Sequence, residues 1–104
     1  MDYLEKCYSK DLNIVSRRIV DEIVLVPIRQ NVGDLERIYT LNEVGAFIWD
    51  LIDGKRQIRE IKEMSLKEFD VDDEDMEKDL IEFILQLENL RVVLDVSSVN
   101  NQLS

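Results

Sequence analysis

Apolar residues recur at helical spacing from Leu41 to Gly54, LNEVGAFIWDLIDG. Val44, Phe47, Ile48, Leu51 and Ile52 fall at i, i+3, i+4, i+7 and i+8, which is one stripe of an α-helix. Thr40 with Glu43 fits a capping box, Asn42 is an alternative cap, and Gly54 suits a left-handed conformation past the last turn. Trp49 lies about 100° or more from the centre of the stripe. A helix with an apolar stripe on one face and a tryptophan on another needs more than one neighbour to cover it. It reads as the central helix of a small domain.

The pattern before this helix is different. From Ile14 to Ile28 the apolar residues are almost all β-branched, which predicts strands. Asp21-Glu22 is the polar break, so a hairpin turn is expected there, without a glycine to relax it. Pro27 lacks an N–H donor and belongs at an edge or a strand end. Arg29 to Asp34 reads as a loop turning at Gly33. Leu35 to Thr40 reads as a third strand, with Leu35, Arg37 and Tyr39 pointing one way and Glu36, Ile38 and Thr40 the other. In Met1 to Asn13, Tyr3, Leu4, Cys7 and Tyr8 allow a short helical turn or a loose arm.

Two more helices follow. Gln57 to Phe69 places Ile58, Ile61, Ser65 and Phe69 on one face, and the short connection from Asp53 to Arg56 makes it a close neighbour of the first helix. Asp70 to Asn89 is the longest. Asp72 or Asp73 caps it, and Glu74, Asp75, Glu77 and Asp79 suit the positive end of its dipole. Its main stripe is Met76, Leu80, Phe83, Ile84, Leu87 and Leu90; Ile81 and Leu85 form a separate i, i+4 pair further round. Val92 to Val96 suits a short closing strand. The order β-β-β-α-α-α predicts an α+β fold, a three-stranded antiparallel sheet followed by a three-helix bundle, similar in layout to a winged helix-turn-helix. The expected division is an arm (1–13), one domain (14–96) and a polar tail (97–104).

Composition narrows the function. The 104 residues suit one domain. A lone cysteine, Cys7, cannot form an internal disulfide, and the first residues lack the apolar core of a signal peptide, so a cytoplasmic setting is expected. No apolar run reaches the length of a membrane span. The net charge of −10 repels phosphate backbones and argues against nucleic acid as a partner.

The inventory of reactive groups argues against an enzyme. With no histidine, the commonest general base and metal ligand is missing. Cys7 has no base nearby in sequence. The acidic run Asp70 to Asp79 lacks the alternating spacing of a calcium loop. There is no phosphate-binding glycine loop, and Ser65 sits at a helical core position, unsuited to carry a prosthetic group. No metal or cofactor is expected. What remains is a binding surface. If the third strand is a sheet edge, its free N–H and C=O groups can pair with an extended peptide. Ile81 and Leu85 would form the apolar wall beside it, unless the sheet covers them. The same free edge also allows a homodimer.

Leu41-Asn42, Gly45, Trp49, Asp53-Gly54, and Phe69 to Asp72 leading into the long helix resemble the PqqD family of small peptide chaperones. The resemblance runs from about Ile14 to Leu94. It implies a non-catalytic adaptor, without cofactor, that binds the leader of a ribosomally made precursor peptide. The leader adds as a strand beside Leu35, Glu36, Arg37, Ile38, Tyr39 and Thr40, and its apolar side chains meet a helix face including Glu77, Ile81, Ile84, Leu85 and Glu88. The peptide is then delivered to a modifying enzyme, often a radical S-adenosylmethionine enzyme, as in pyrroloquinoline quinone biosynthesis or a related pathway. On this reading Ile81→Asp with Leu85→Asp removes binding. The alternative is a winged-helix DNA-binding regulator, for which the acidic third helix is a poor fit. The chain departs from the family pattern in four places. The first hairpin lacks the usual glycine near Glu22, Gln57 replaces a common threonine cap, Arg91 replaces a glycine, and the loop Gln30 to Asp34 is long.

Overall fold

The β-branched run folds as a hairpin whose two strands pair along their full length. In the computed structural model, which describes residues 2–27 and 38–97, β2 (Ile14–Ile19) pairs antiparallel with β3 (Glu22–Pro27), from Ile14 opposite Pro27 to Ile19 opposite Glu22. The turn is Val20-Asp21, one residue earlier than expected. Val20 takes a positive φ of 58°. A β-branched side chain is strained there, because its Cβ crowds the backbone. This is the hairpin in which the family pattern has a glycine. Val20 is 84% exposed, so it gives up little packing. Val20→Gly is expected to stabilise the fold by about 0.5–1 kcal/mol, read as a higher urea midpoint with an unchanged m-value.

The third strand, β4 (Tyr39–Leu41), pairs antiparallel with β3, with Leu41 opposite Ile23 and Tyr39 opposite Leu25. It runs one residue further than expected and ends on buried Leu41. Ile38 precedes the strand, and the expected strand residues Leu35 to Arg37 and the loop around Gly33 lie outside the described residues. Among the described residues the sheet order β2-β3-β4 leaves β4 at an edge.

Three helices follow: α1 (Glu43–Leu51), α2 (Ile58–Glu68) and α3 (Asp73–Asn89). Asn42 caps α1, its Oδ1 accepting the Gly45 N–H at 2.9 Å. The helix ends at Leu51, and Gly54 takes its left-handed φ of 79° within the connection to α2. Gln57 stands at the start of α2, and the Glu60 carboxylate accepts its N–H at 3.1 Å. Ser65 is fully buried, and its hydroxyl has no hydrogen-bond partner among the described residues. Phe69 lies past the end of α2, edge-on to Phe47 of α1 with ring centroids 5.4 Å apart. The third helix begins at Asp73 rather than Asp70, behind Asp72.

The α1–α2 connection is closed by Asp53, whose Oδ1 accepts the N–H groups of Lys55 and Arg56, each at 2.9 Å, while Oδ2 meets the Arg56 guanidinium at 3.0 Å. These contacts, led by the Arg56 N–H, hold the Asp53 carboxyl below its ordinary value of 3.8. Because the folded pKa is the lower one, the stabilisation is fully present above about pH 4. It is lost as the pH falls through the folded pKa. The stability difference between the native chain and Asp53→Asn is therefore expected to shrink on acidification from pH 6 to pH 2, as followed by urea unfolding.

The largest difference from expectation is at the N-terminus. The stretch expected as an arm outside the domain is packed onto it and carries Leu4, Cys7 and Tyr8 into the interior. A 3-10 turn (Tyr3–Glu5) leads to β1 (Tyr8–Lys10), which pairs antiparallel with β5 (Val93–Asp95), Tyr8 opposite Asp95. The same segment is hydrogen-bonded to the α1–α2 connection, with Gly54 N–H to the Tyr8 carbonyl at 2.8 Å and Ile58 N–H to the Lys6 carbonyl at 2.9 Å. The Ser97 hydroxyl accepts the Cys7 N–H at 3.0 Å, so Ser97 is buried rather than the start of a frayed tail. The core accordingly joins Tyr8, Val92 and Val93 to Ile23, Leu25 and Leu41 from the sheet. The helices supply Ile48, Trp49, Ile58, Ile61, Leu80, Ile84 and Leu87. Trp49 is covered from a second side, with the Lys10 ammonium 5.2 Å from its ring centroid. Leu90 ends α3 and Arg91 follows with φ 61°, the second non-glycine residue of positive φ among the described residues. This is again a position where the family pattern has glycine.

Candidate peptide-binding groove

An open groove of about 620 Å³ lies between the β4 edge and one face of α3, with the start of α1 as its floor. One side is formed by Ile38, Tyr39, Thr40 and Leu41. The floor is Asn42, Val44, Gly45 and Ile48. The far wall is Met76, Asp79, Phe83, Gln86, Leu87 and Leu90 of α3, and Val71 closes the end where the chain enters that helix. Most of these side chains are apolar, and among the described lining residues Asp79 is the charged one.

The local sequence explains why this cleft exists. Leu41 is anchored in the core opposite Ile23, so the strand ends where α1 begins. Asn42 caps that helix. Gly45 lets α3 approach closely: a Cβ at Gly45 would already stand 3.4 Å from the Phe83 ring and from Leu41. Trp49 and the Asp53 turn hold the far end of α1. Leu41, Asn42 and Gly45 thus line the groove directly, while Trp49 and Asp53 support the helix that forms its floor.

A strand at an edge carries outward-facing N–H and C=O groups, and an extended chain can pair with them. Side chains alternate along such a chain, so every second one would turn toward the apolar space against α3. The site offers main-chain pairing on one side and a water-excluding surface on the other. Among the described residues no group of three or more histidine, cysteine, aspartate or glutamate side chains is placed to hold a metal ion, and no helix is long and apolar enough to cross a membrane.

Residues 22–93 match the family model of PqqD, described as coenzyme PQQ synthesis protein D. The chain belongs to the PqqD family. The match takes in β3, β4, all three helices and the first residue of β5. Among solved structures, this PqqD-family chain is similar to "TbiB1 in Complex with the TbiA(beta) Leader Peptide". The two are 28% identical with a TM-score of 0.70, over 82% of this chain and 93% of that one. No curated protein matches the chain.

The PqqD fold places the expected site residues in two groups. Ile38, Tyr39 and Thr40 line the groove, whereas Leu35, Glu36 and Arg37 lie outside the described residues. The expected helix face does not line it. Glu77 turns toward α2, where it and Asp73 each meet the Lys62 ammonium at 3.0 Å and hold its pKa above the ordinary value. Glu88 turns toward β1 and accepts the Tyr8 hydroxyl at 3.5 Å. Ile84 is fully buried in the core. Ile81 is half-buried and Leu85 is 44% exposed, both away from the groove. At about 100° per residue, this arc is centred roughly 150° round the helix from the line through Asp79, Phe83, Gln86 and Leu90. The groove is therefore cut along the other border of the main stripe. Phe83 and Leu90, assigned to the core by periodicity, are only partly buried and line it. A sequence signal was present. Asp79 and Gln86 flank that border, and an aromatic residue bordered by polar positions marks a stripe wider than the core needs.

Proposed function

We propose that this chain is a non-catalytic adaptor that binds the leader of a ribosomally made precursor peptide. The leader lies antiparallel or parallel along the free edge of β4, places alternate apolar side chains in the groove against Phe83, Val44 and Leu90, and is presented to a peptide-modifying enzyme. The observation that carries this reading is the conjunction of an edge strand with an apolar cleft beside it. Membership of the PqqD family supports it, as does similarity to a protein whose solved structure is described as a complex with a leader peptide. The family reading points to a radical S-adenosylmethionine enzyme as the modifying partner, in pyrroloquinoline quinone synthesis or another peptide pathway, in a cytoplasmic setting. Asp79 favours a leader with a lysine or arginine near the apolar side chains that enter the groove, though one exposed pair adds little affinity.

The test is a titration of isotopically labelled protein with the leader of the precursor encoded beside its gene. The expected result is protection of Tyr39–Leu41 amides from exchange and shifts in the methyl groups of Val44, Val71 and Leu90. Shifts confined to β1 and β5 would count against it. A DNA-binding role has no support from the helix charge, since the first turn of α3 holds Asp73, Glu74 and Asp75 and its last turn holds no basic residue.

A further inference from the structure

The face of the sheet turned away from the helices carries a second surface. Ile23 and Leu25 of β3 are buried against the helices, so Val24 and Val26 between them point outward. Directly opposed residues share a face, which places Val15 beside Val26, Arg17 beside Val24 and Ile19 beside Glu22. Val15 and Ile19 are 46% and 51% exposed, which is high for apolar side chains in paired strands. Arg17 stands among them, exposed and with no acidic partner among the described residues. Its neighbour Arg18 points to the other face and pairs with Asp50 of α1. A guanidinium amid apolar side chains, with no acidic partner among the described residues, is unusual on a chain whose net charge is −10, where carboxylates are abundant.

We infer that this outer face, centred on Val15, Arg17, Ile19, Val24 and Val26, docks the peptide-modifying enzyme through an apolar patch bearing a carboxylate opposite Arg17. The inference rests on the adaptor reading above. The charge pattern favours such a partner: arginine amid apolar area is the composition of interface centres, and a carboxylate is its natural complement. A second copy of this chain is disfavoured, since each copy carries ten net negative charges. The location also fits presentation. Thr40 of β4 lies opposite Val24, so the outer face continues onto the strand beside which a leader would lie. Side chains of the leader that point away from the groove would emerge level with this patch, next to an enzyme seated on it.

The experiment uses three purified components: this chain, the leader and the modifying enzyme encoded beside it. Affinities for leader and enzyme are measured separately for the native chain, Arg17→Glu, Arg17→Lys and the double variant Val15→Thr with Ile19→Thr, which keeps strand propensity. Circular dichroism and thermal unfolding check that each variant is folded. Enzyme affinity is expected to fall at least tenfold in Arg17→Glu and in the double variant and to change under threefold in Arg17→Lys, with leader affinity within twofold throughout. Unchanged enzyme affinity in the first two, or a native chain that does not bind the enzyme, overturns the inference. So does a change in self-association, by sedimentation, in place of enzyme affinity. Enzyme affinity that responds to the variants while the native chain binds no leader supports the docking face and removes the leader reading. Leader binding with an enzyme indifferent to all variants does the reverse.

Discussion

Val44→Asp lowers the affinity for the leader peptide by about ten- to a hundredfold, equivalent to about 1.4–2.8 kcal/mol, when followed by titration calorimetry. Val44 sits on the floor of the groove in the first turn of α1, half-buried against the core. A carboxylate there has to be desolvated when an apolar side chain enters, with no cation among the described lining residues to pair with it. The fold tolerates the change better than the site does, because an acidic residue in the first turn of a helix is favoured by the dipole and offsets part of the lost packing. Leu85→Asp is the matched control. Its side chain is also apolar and exposed, but it projects from the opposite side of α3, so leader affinity should stay within about twofold of the native value. Equal losses from both variants would mean that the peptide wraps α3 rather than lying in the groove. A loss from Leu85→Asp alone would return the site to the helix face expected from periodicity.

Tyr8→Ala is expected to cost about 3–5 kcal/mol of folding stability. That is a large share of what a domain of this size possesses. Tyr8 is 1% exposed and belongs to the central cluster. Its hydroxyl stands 3.3 Å from that of Tyr3 and 3.5 Å from the Glu88 carboxylate, and burial pushes its ionisation above the ordinary phenol range, so the ring is neutral in the fold. Removing the ring leaves a cavity between β1, α3 and β5. Tyr8→Phe keeps the volume and should cost only about 1 kcal/mol. Urea unfolding monitored by Trp49 fluorescence reads both. A Tyr8→Ala variant as stable as the native chain would mean that the first ten residues are an appendage after all.

The helices were legible because the information that specifies them is local. The stripe from Val44 to Ile52, the cap at Asn42 and the break before Gly54 all lie within a few residues of one another, and periodicity with capping chemistry reads such distances well. The hairpin was legible for the same reason, since β-branched runs on either side of a polar pair admit few alternatives. Its strained turn at Val20 was visible only as a missing glycine. Of residues 2 to 10 the short helical turn at Tyr3–Glu5 was legible, but β1 was not. A strand of three residues carries too little alternation to be seen, and its partner, β5, is about as far away in the chain as it can be: Cys7 and Ser97, which hydrogen-bond beside it, are 90 residues apart.

The candidate site divides along the same line. The chain itself determined that there would be three helices, a sheet whose third strand leads directly into the first of them, and a third helix with more apolar surface than one core stripe requires. Only the assembled tertiary structure decided which border of that helix faces the β4 edge. Rotation of α3 about its axis is governed by partners distant in sequence: the Lys62 ammonium that draws Glu77 to α2, the Tyr8 hydroxyl at Glu88, and the close passage of Phe83 over Gly45. A periodic pattern reports that a helix has a greasy side; what that side meets is set by the packing of everything else around it.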